Sequence, residues 1–308
     1  MEAVFSHTKP FPADPILGLS VSYAKDPRET KVNLSVGVYK TDEGVVPILG
    51  CVKEAESFLL RSETTKSYLP IDGDASYLQE SGKLILGQEL FNQKCSSLSL
   101  VQTLGGTGAL RLGGDLIAQE LLGSACYIPD PSWPNHRAIF EQSGLKVVNY
   151  PYYDKVKKDV DFSSLMSFVS SLRPRSVVVF HVNCHNPSGA DLDLEQWKSI
   201  AEVCQSRQLL PFFDGAYLGF SSTFEEDTFP LRLFVEQNVE CLAAISFSKN
   251  FALYGERIGV LMGYFKEGSS APVLTHLKKL VRRNYSNPPC HGAKTIAHIL
   301  KTPALKAL

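Results

Sequence analysis

A chain of 308 residues, 44% of them hydrophobic and 20% charged, holds enough apolar material for a sizeable core, as one large domain or one domain plus a smaller piece. Lys and Arg number 31 against 32 Asp and Glu, a net charge of −1, which excludes the basic field of a nucleic-acid or anionic-membrane binder and leaves a small-molecule ligand as the expectation. The seven cysteines lack paired metal-type spacing, no apolar run reaches the roughly 20 residues of a membrane helix, and the start shows neither secretory nor organelle signal; a cytoplasmic protein with reduced thiols and no bound metal is expected.

In chain order, the first 45 residues stand apart. Three prolines fall within 9–15, a possible strand covers 31–39, and turn chemistry follows at Asp42 to Gly44, so this stretch is expected as an arm outside the main sheet. From about residue 98 short apolar runs alternate with longer segments of helical period, the pattern of βα units building a mostly parallel sheet. The seven expected strands are 98–104, 125–129, 146–150, 176–182, 209–213, 242–247 and 258–264, several of them apolar throughout, as strands covered on both faces should be. Helices are expected over 109–122, 161–172 and 194–207, and the tail after Cys290 reads as one helix interrupted at Pro303.

The residues able to carry chemistry follow these strands. Lys249, in Ser-Phe-Ser-Lys-Asn-Phe, comes just after an apolar run, where a turn aims its amine into the crevice at the sheet's carboxyl edge. Asp214 ends the run Leu-Leu-Pro-Phe-Phe-Asp and emerges at the same edge; a carboxylate there can keep a pyridine nitrogen protonated. The turn Gly105-Gly106-Thr107-Gly108 opens a helix, so its N–H groups and the helix dipole suit a phosphate, to which Arg257 could add a bidentate contact. Asn186, in His-Asn-Pro-Ser-Gly, and Trp133, in Pro-Ser-Trp-Pro-Asn-His, follow two further strands; an indole there can lie flat on an aromatic ring. Taken singly, each has an ordinary explanation as a loop lysine, a turn or a packing side chain. Together they supply a phosphate site, a ring platform, a pyridinium partner and an amine.

These residues sit in stretches that resemble aspartate aminotransferases of the cytosolic type, within the class-I pyridoxal-phosphate-dependent aminotransferases. KVNLSVGVY (31–39), YLPI (68–71), LGGTGAL (104–110), HNPSG (185–189), FFDGAYLGF (212–220), SFSKNF (246–251) and SNPP (286–289) fall in family order at family spacing. The resemblance implies a type I pyridoxal-phosphate transferase fold, α/β with a mostly parallel seven-stranded sheet flanked by helices, divided into an arm and small-domain segment (1–45), a large cofactor-binding domain (46–290) and the start of a helix leading to a small domain that is incomplete here (291–308). It implies a homodimer that transfers an amino group between aspartate and 2-oxoglutarate, with pyridoxal 5'-phosphate as cofactor.

By the same resemblance Lys249 binds the cofactor covalently and acts as the base, Asp214 pairs with the ring nitrogen backed by His136, and Asn186 and Tyr217 hydrogen-bond the ring phenolate. Trp133 stacks on the ring; Gly106, Thr107, Ser246 and Arg257 hold the phosphate, which Tyr68 reaches from the neighbouring subunit. Arg282 binds the substrate's side-chain carboxylate across the dimer interface, and Gly37 lies on the arm that closes over the substrate. The family continues beyond the point matching Leu308, and that stretch carries the arginine that grips the substrate α-carboxylate; Gly215, Ala252 and Gly255 depart from the usual serine, glycine and asparagine. The readings left open are a working aminotransferase, a cofactor-binding dimer with little catalysis, and another pyridoxal-phosphate reaction on aspartate such as racemisation.

Overall fold

The computed structural model describes residues 3–10, 15–33, 37–266 and 268–308, and the chain divides into two compact units, Met1–Pro47 and Ile48–Leu308. In the first unit a helix spans Pro15–Lys25, and the Asp42 to Gly44 turn forms with Gly44 at φ 78°. The strand expected over 31–39 is not seen: its described residues, 31–33 and 37–39, belong to no strand, and 34–36 lie outside the described residues. Alternation alone does not make a strand where no partner edge is offered.

Among the described residues the second unit carries nine strands: β1 (Leu98–Leu104), β2 (Ala125–Asp130), β3 (Lys146–Pro151), β4 (Tyr153–Asp154), β5 (Asp159–Val160), β6 (Val177–His181), β7 (Leu210–Gly215), β8 (Cys241–Ser246) and β9 (Ile258–Tyr264). Seven form one sheet in the order β1-β9-β8-β7-β6-β2-β3, and β4 and β5 pair as a separate two-stranded ribbon. Neighbours from β8 through β3 run parallel, whereas β9 is antiparallel to both β1 and β8. The central strands β6 and β8 are almost wholly apolar because helices cover both faces. Along β6, Val177 and Val179 face one hydrophobic cluster while Val178 and Phe180 face the other; in β7, Phe212 and Phe213 divide the same way.

One face is covered by the helices Gly105–Glu120, Pro134–Gln142 and Ser270–Asn284, through residues such as Leu112, Phe140 and Leu277. The other carries Phe162–Ser171, Leu194–Arg207 and Phe229–Glu236, through Leu165, Trp197 and Phe234. Local chemistry sets where these helices begin. Asp193 accepts from Gln196 N at 2.8 Å while the Gln196 side chain accepts from Asp193 N at 3.0 Å, a full capping box, and Asp161 caps the helix it precedes. The helix expected from 109 starts at Gly105, so the glycine turn is itself its first turn. After Cys290 a helix runs His291–Lys301 and a short one Pro303–Lys306, the break falling where Pro303 cannot continue the hydrogen-bond ladder.

Helix Gly105–Glu120 approaches the sheet closely because Gly113 has no side chain. A Cβ there would stand 2.4 Å from the ring of Phe212, a ring with no solvent exposure. Replacing Gly113 by Val is therefore expected to destabilise by about 2–3 kcal/mol, the scale of core overpacking, read as a lowered urea midpoint; Gly255→Ala, where nothing lies within 4 Å, is the control and should barely move it.

Candidate active site

Because β1, β2, β6, β7 and β8 run the same way, the segments leaving them emerge at one edge of the sheet, and since β9 is reversed its beginning lies there too. Gly105 follows β1, Trp133 follows β2, Asn186 follows β6, Asp214 lies at the end of β7, Lys249 follows β8, and Arg257 immediately precedes β9. The edge is the place where open α/β sheets bind ligands.

Asp214 is 5% exposed, and its Oδ2 lies 2.8 Å from Nε2 of the wholly buried His136. His136 Nδ1 is 2.8 Å from the Ser132 hydroxyl. One assignment satisfies both contacts: Nε2–H donates to the carboxylate and Nδ1 accepts from Ser132. Asp214 Oδ1 accepts no hydrogen bond among the described residues and is left for a ligand. His181 stacks on His136 at 5.0 Å between ring centres, with both its nitrogens buried and unpartnered. His136, His181 and Asp214 bring ligand-type atoms within 4.8 Å of one another. Two ligands on one zinc ion stand about 3.3 Å apart when each is ~2.0 Å from the metal, so the 2.8 Å His136–Asp214 contact is a hydrogen bond, and Ser132, His136 and Asp214 form a hydrogen-bonded chain to which His181 adds only ring packing.

Lys249 Nζ sits 4.6 Å from the centre of the Tyr217 ring and, among the described residues, has no hydrogen bond or ion pair. Burial pushes its amine below the usual lysine range and nearby Arg257 adds to this, while Asp214 acts the other way. The neutral, nucleophilic form is thereby favoured. Tyr217 is shifted in the opposite sense, raised by burial and then by Asp214, so its hydroxyl keeps its proton and stays a donor.

A second set of groups at the same edge consists of hydrogen-bond donors. Gly105 has φ 69°, and a Cβ on it would stand 2.7 Å from Arg257 Nη2; on Gly106 a Cβ would stand 3.1 Å from that of Ser246. Gly259 is equally constrained, because a Cβ there would meet the Gly105 backbone at 2.7 Å. The glycines thus let the first helical turn, β8 and the start of β9 crowd together. Arg257, itself at φ 51°, donates to Ser248 Oγ at 3.3 Å and Tyr254 O at 3.1 Å, and no carboxylate pairs with it among the described residues. Backbone N–H groups at a helix start, two serine hydroxyls and a free guanidinium fork fit a phosphate dianion.

The structure thus brings together Lys249, Asp214, His136, Tyr217, Gly106, Ser246 and Arg257, with Thr107, Trp133 and Asn186 on segments entering the same edge. Trp133 packs edge-on to His136 at 5.4 Å. Tyr68, 90% exposed, and Arg282, exposed and bonded to the Ser286 hydroxyl, form no hydrogen bond with the cluster. Gly37 lies in the Met1–Pro47 unit and is exposed. Sequence reasoning missed Ser132, Ser248 and His181; Ser248, two residues from Ser246 in one turn, had a legible signal, while the other two are recognised only by their contacts. The donor set, the ring-facing aromatics, the half-satisfied carboxylate and the unpaired amine fit pyridoxal phosphate.

Comparison with known proteins agrees with this geometry. Residues 29–308 match the family described as aminotransferase class I and II. An aspartate aminotransferase of Pseudomonas aeruginosa is 42% identical over 99% of this chain and 77% of its own length. Among solved structures, an aromatic-amino-acid aminotransferase of Burkholderia pseudomallei covalently bound to pyridoxal phosphate superposes with TM-score 0.96 at 42% identity, covering 99% of this chain and 77% of that one. The cytoplasmic aspartate aminotransferase of Saccharomyces cerevisiae does so with TM-score 0.94 at 33% identity, over 99% and 76%. The chain belongs to the class I and II aminotransferases.

The buried histidines give the site a pH signature. Burial, and then the neighbouring His136, pushes His185 from 6.5 down to about 4, and His181 is also held well below its ordinary value. Between these limits the unfolded chain binds more protons than the folded protein, so the stability is complete above pH 6.5 and declines as pH falls toward 4. Urea unfolding is expected to show a loss of roughly 2–3 kcal/mol over that window from His185, and His185→Gln should remove that share while leaving the contribution of His181; equal pH dependence in the variant would contradict the assignment.

Proposed function

We propose that this protein is a pyridoxal-phosphate-dependent aminotransferase that converts L-aspartate and 2-oxoglutarate to oxaloacetate and L-glutamate. The observation that carries the reading is the Lys249 amine, shielded, pushed toward neutrality and facing Tyr217, at the edge that also holds Asp214 and the phosphate-type donors of the Gly105 turn, Ser246 and Arg257. When bound, the cofactor supplies an electron sink for the pair released at the substrate Cα. Every other task falls to the chain.

Lys249 Nζ would hold the cofactor and would serve as the base that takes the proton from substrate Cα; its lowered pKa raises the neutral fraction that can do so. Asp214 holds a proton on the ring nitrogen, and His136, fixed by Ser132, holds Asp214. Tyr217, kept protonated, donates to the ring oxygen together with Asn186, which favours the reactive form near neutral pH. Trp133 covers the ring face. Gly106, Thr107, Ser246 and Arg257 hold the phosphate by N–H, hydroxyl and guanidinium donors.

The same reading assigns the exposed Tyr68 and Arg282 to a homodimer, Tyr68 reaching the partner's phosphate and Arg282 binding the substrate's distal carboxylate, with Gly37 on a segment that covers the substrate. The large cofactor domain is 46–290, flanked by an arm (1–45) and the helix start at 291–308. A cytoplasmic setting is supported by seven free cysteines; among the described residues no helix is long and apolar enough to cross a membrane.

Absorbance of the purified protein with pyridoxal phosphate tests this. A band that requires Lys249, lost in Lys249→Ala, and that changes on adding aspartate is expected, with Arg282→Ala weakening the response to aspartate by tenfold or more, about 1.4 kcal/mol or above for a charged contact. Phenylalanine should be run beside aspartate, because the similar Burkholderia enzyme bears an aromatic-amino-acid name; preference for phenylalanine would reverse the substrate assignment, and a band independent of Lys249 would refute the site.

A further inference from the structure

Asp227 sits in the short helix Phe224–Asp227, is only 4% exposed, and has no cationic partner among the described residues. A buried carboxylate is costly unless donors replace its water. Here they do: Oδ2 accepts from Asn183 Nδ2 at 2.7 Å and from the backbone N–H groups of Gly219 at 2.7 Å, Phe220 at 3.1 Å and Ser221 at 3.3 Å, and Oδ1 accepts from the Ser221 hydroxyl. Three consecutive N–H groups closing on one anion fix the path of the loop that leaves β7.

That loop begins at Tyr217. Asn183 Nδ2, besides reaching Asp227, donates to Tyr217 O at 2.9 Å, and Phe220 N donates to the same oxygen at 3.1 Å. The Asp227 network therefore converges on the peptide oxygen of Tyr217, through Asn183, and on the backbone of Gly219, Phe220 and Ser221 just beyond it. Asn183 lies just past β6, so the network also ties together the ends of two neighbouring strands, the one leading to Asn186 and the one bearing Asp214. The Tyr217 ring, in turn, lies under Lys249 Nζ.

We propose that Asp227 is a positioning residue for the reaction, holding the Tyr217 hydroxyl at the cofactor ring oxygen through the β7 loop; this rests on the aminotransferase reading above. Burial of an anion is more than packing requires at this place, and what the anion gathers is the backbone of one site residue. The donors are charge-assisted, and such bonds are shorter and stronger than neutral ones.

The test is the pH dependence of the absorbance band of the cofactor-loaded protein, read for wild type, Asp227→Ala, Asp227→Asn, Tyr217→Phe and the Asp227→Ala/Tyr217→Phe double variant. A hydroxyl donor to the ring oxygen stabilises the deprotonated form, so its loss raises the midpoint, by roughly one unit for a hydrogen bond of ordinary strength. Asp227→Ala is expected to raise the midpoint as Tyr217→Phe does, Asp227→Asn, which keeps an oxygen for the backbone donors, to recover most of it, and the double variant to match Tyr217→Phe alone. A lowered melting temperature with an unmoved midpoint, or shifts that add in the double variant, overturns the proposal. Should Asp227→Ala not fold, Ser221→Ala removes one donor at an exposed position: a smaller rise of the midpoint supports the proposal and no rise overturns it. If the wild-type protein itself gives no pH-dependent band, the aminotransferase reading fails and the proposal with it, an outcome distinguished by the wild type alone.

Discussion

A common edge is the constraint on which the rest of this structure depends. Parallel neighbours need crossover helices, which cover both faces of the sheet and force the strands to be apolar, so polar chemistry is left only to the segments that leave the strand ends. In this chain those segments begin at Gly105, Trp133, Asn186, Asp214 and Lys249, and the reversal of β9 between β1 and β8 adds Arg257 from the opposite chain direction. Without that reversal the guanidinium would enter from the far edge, and the anion donors would lack their one full positive charge.

Two buried carboxylates near this edge show how satisfaction divides labour. Asp227 receives five donors and has nothing left to offer, so it shapes backbone. Asp214 receives one, from His136, and keeps an oxygen available. The contrast extends to the cations: the partly buried Lys83 and Lys294 are paired with Glu80 and Glu63, whereas the shielded Lys249 has no carboxylate partner among the described residues and is pushed toward neutrality. Incomplete satisfaction inside a fold is expensive, and it is concentrated where a ligand can complete it. His181, with both nitrogens unpartnered beside His136, belongs to the same region.

The strands and the residues at their ends were legible because short apolar runs bounded by Gly, Pro and Asn announce βα units, and because LGGTGAL, FFDGAYLGF and SFSKNF place particular residues there. What was not legible depends on contacts between distant segments. The direction of β9 is set by pairing with β1, which lies more than 150 residues earlier in the sequence. Asp227 reads as one acid in Phe-Glu-Glu-Asp, and only its approach to Asn183, 44 residues away, gives it a function. The run at 31–39 has the composition of a strand, yet its described part belongs to no strand. The helix at Gly105 began earlier than its apolar period because the glycines that weaken it are needed for close approach to Ser246 and Arg257.

Under the proposed function, the exposed position of Arg282 would separate reaction from specificity. Within one chain the crevice gathers only what any amino donor requires: an amine, a ring partner and a phosphate site. Arg282 lies elsewhere, exposed at the end of helix Ser270–Asn284, with the Ser286 hydroxyl as its contact. If the distal group of the substrate is read by a residue presented at the surface, the chemistry and the choice of side chain rest on different structural supports and can vary independently. On that proposal a change in the group that reads the distal carboxylate would alter substrate preference by a charged contact while leaving Asp214, Lys249 and the glycine turn untouched, and proteins of equal identity to this one do carry aspartate and aromatic names.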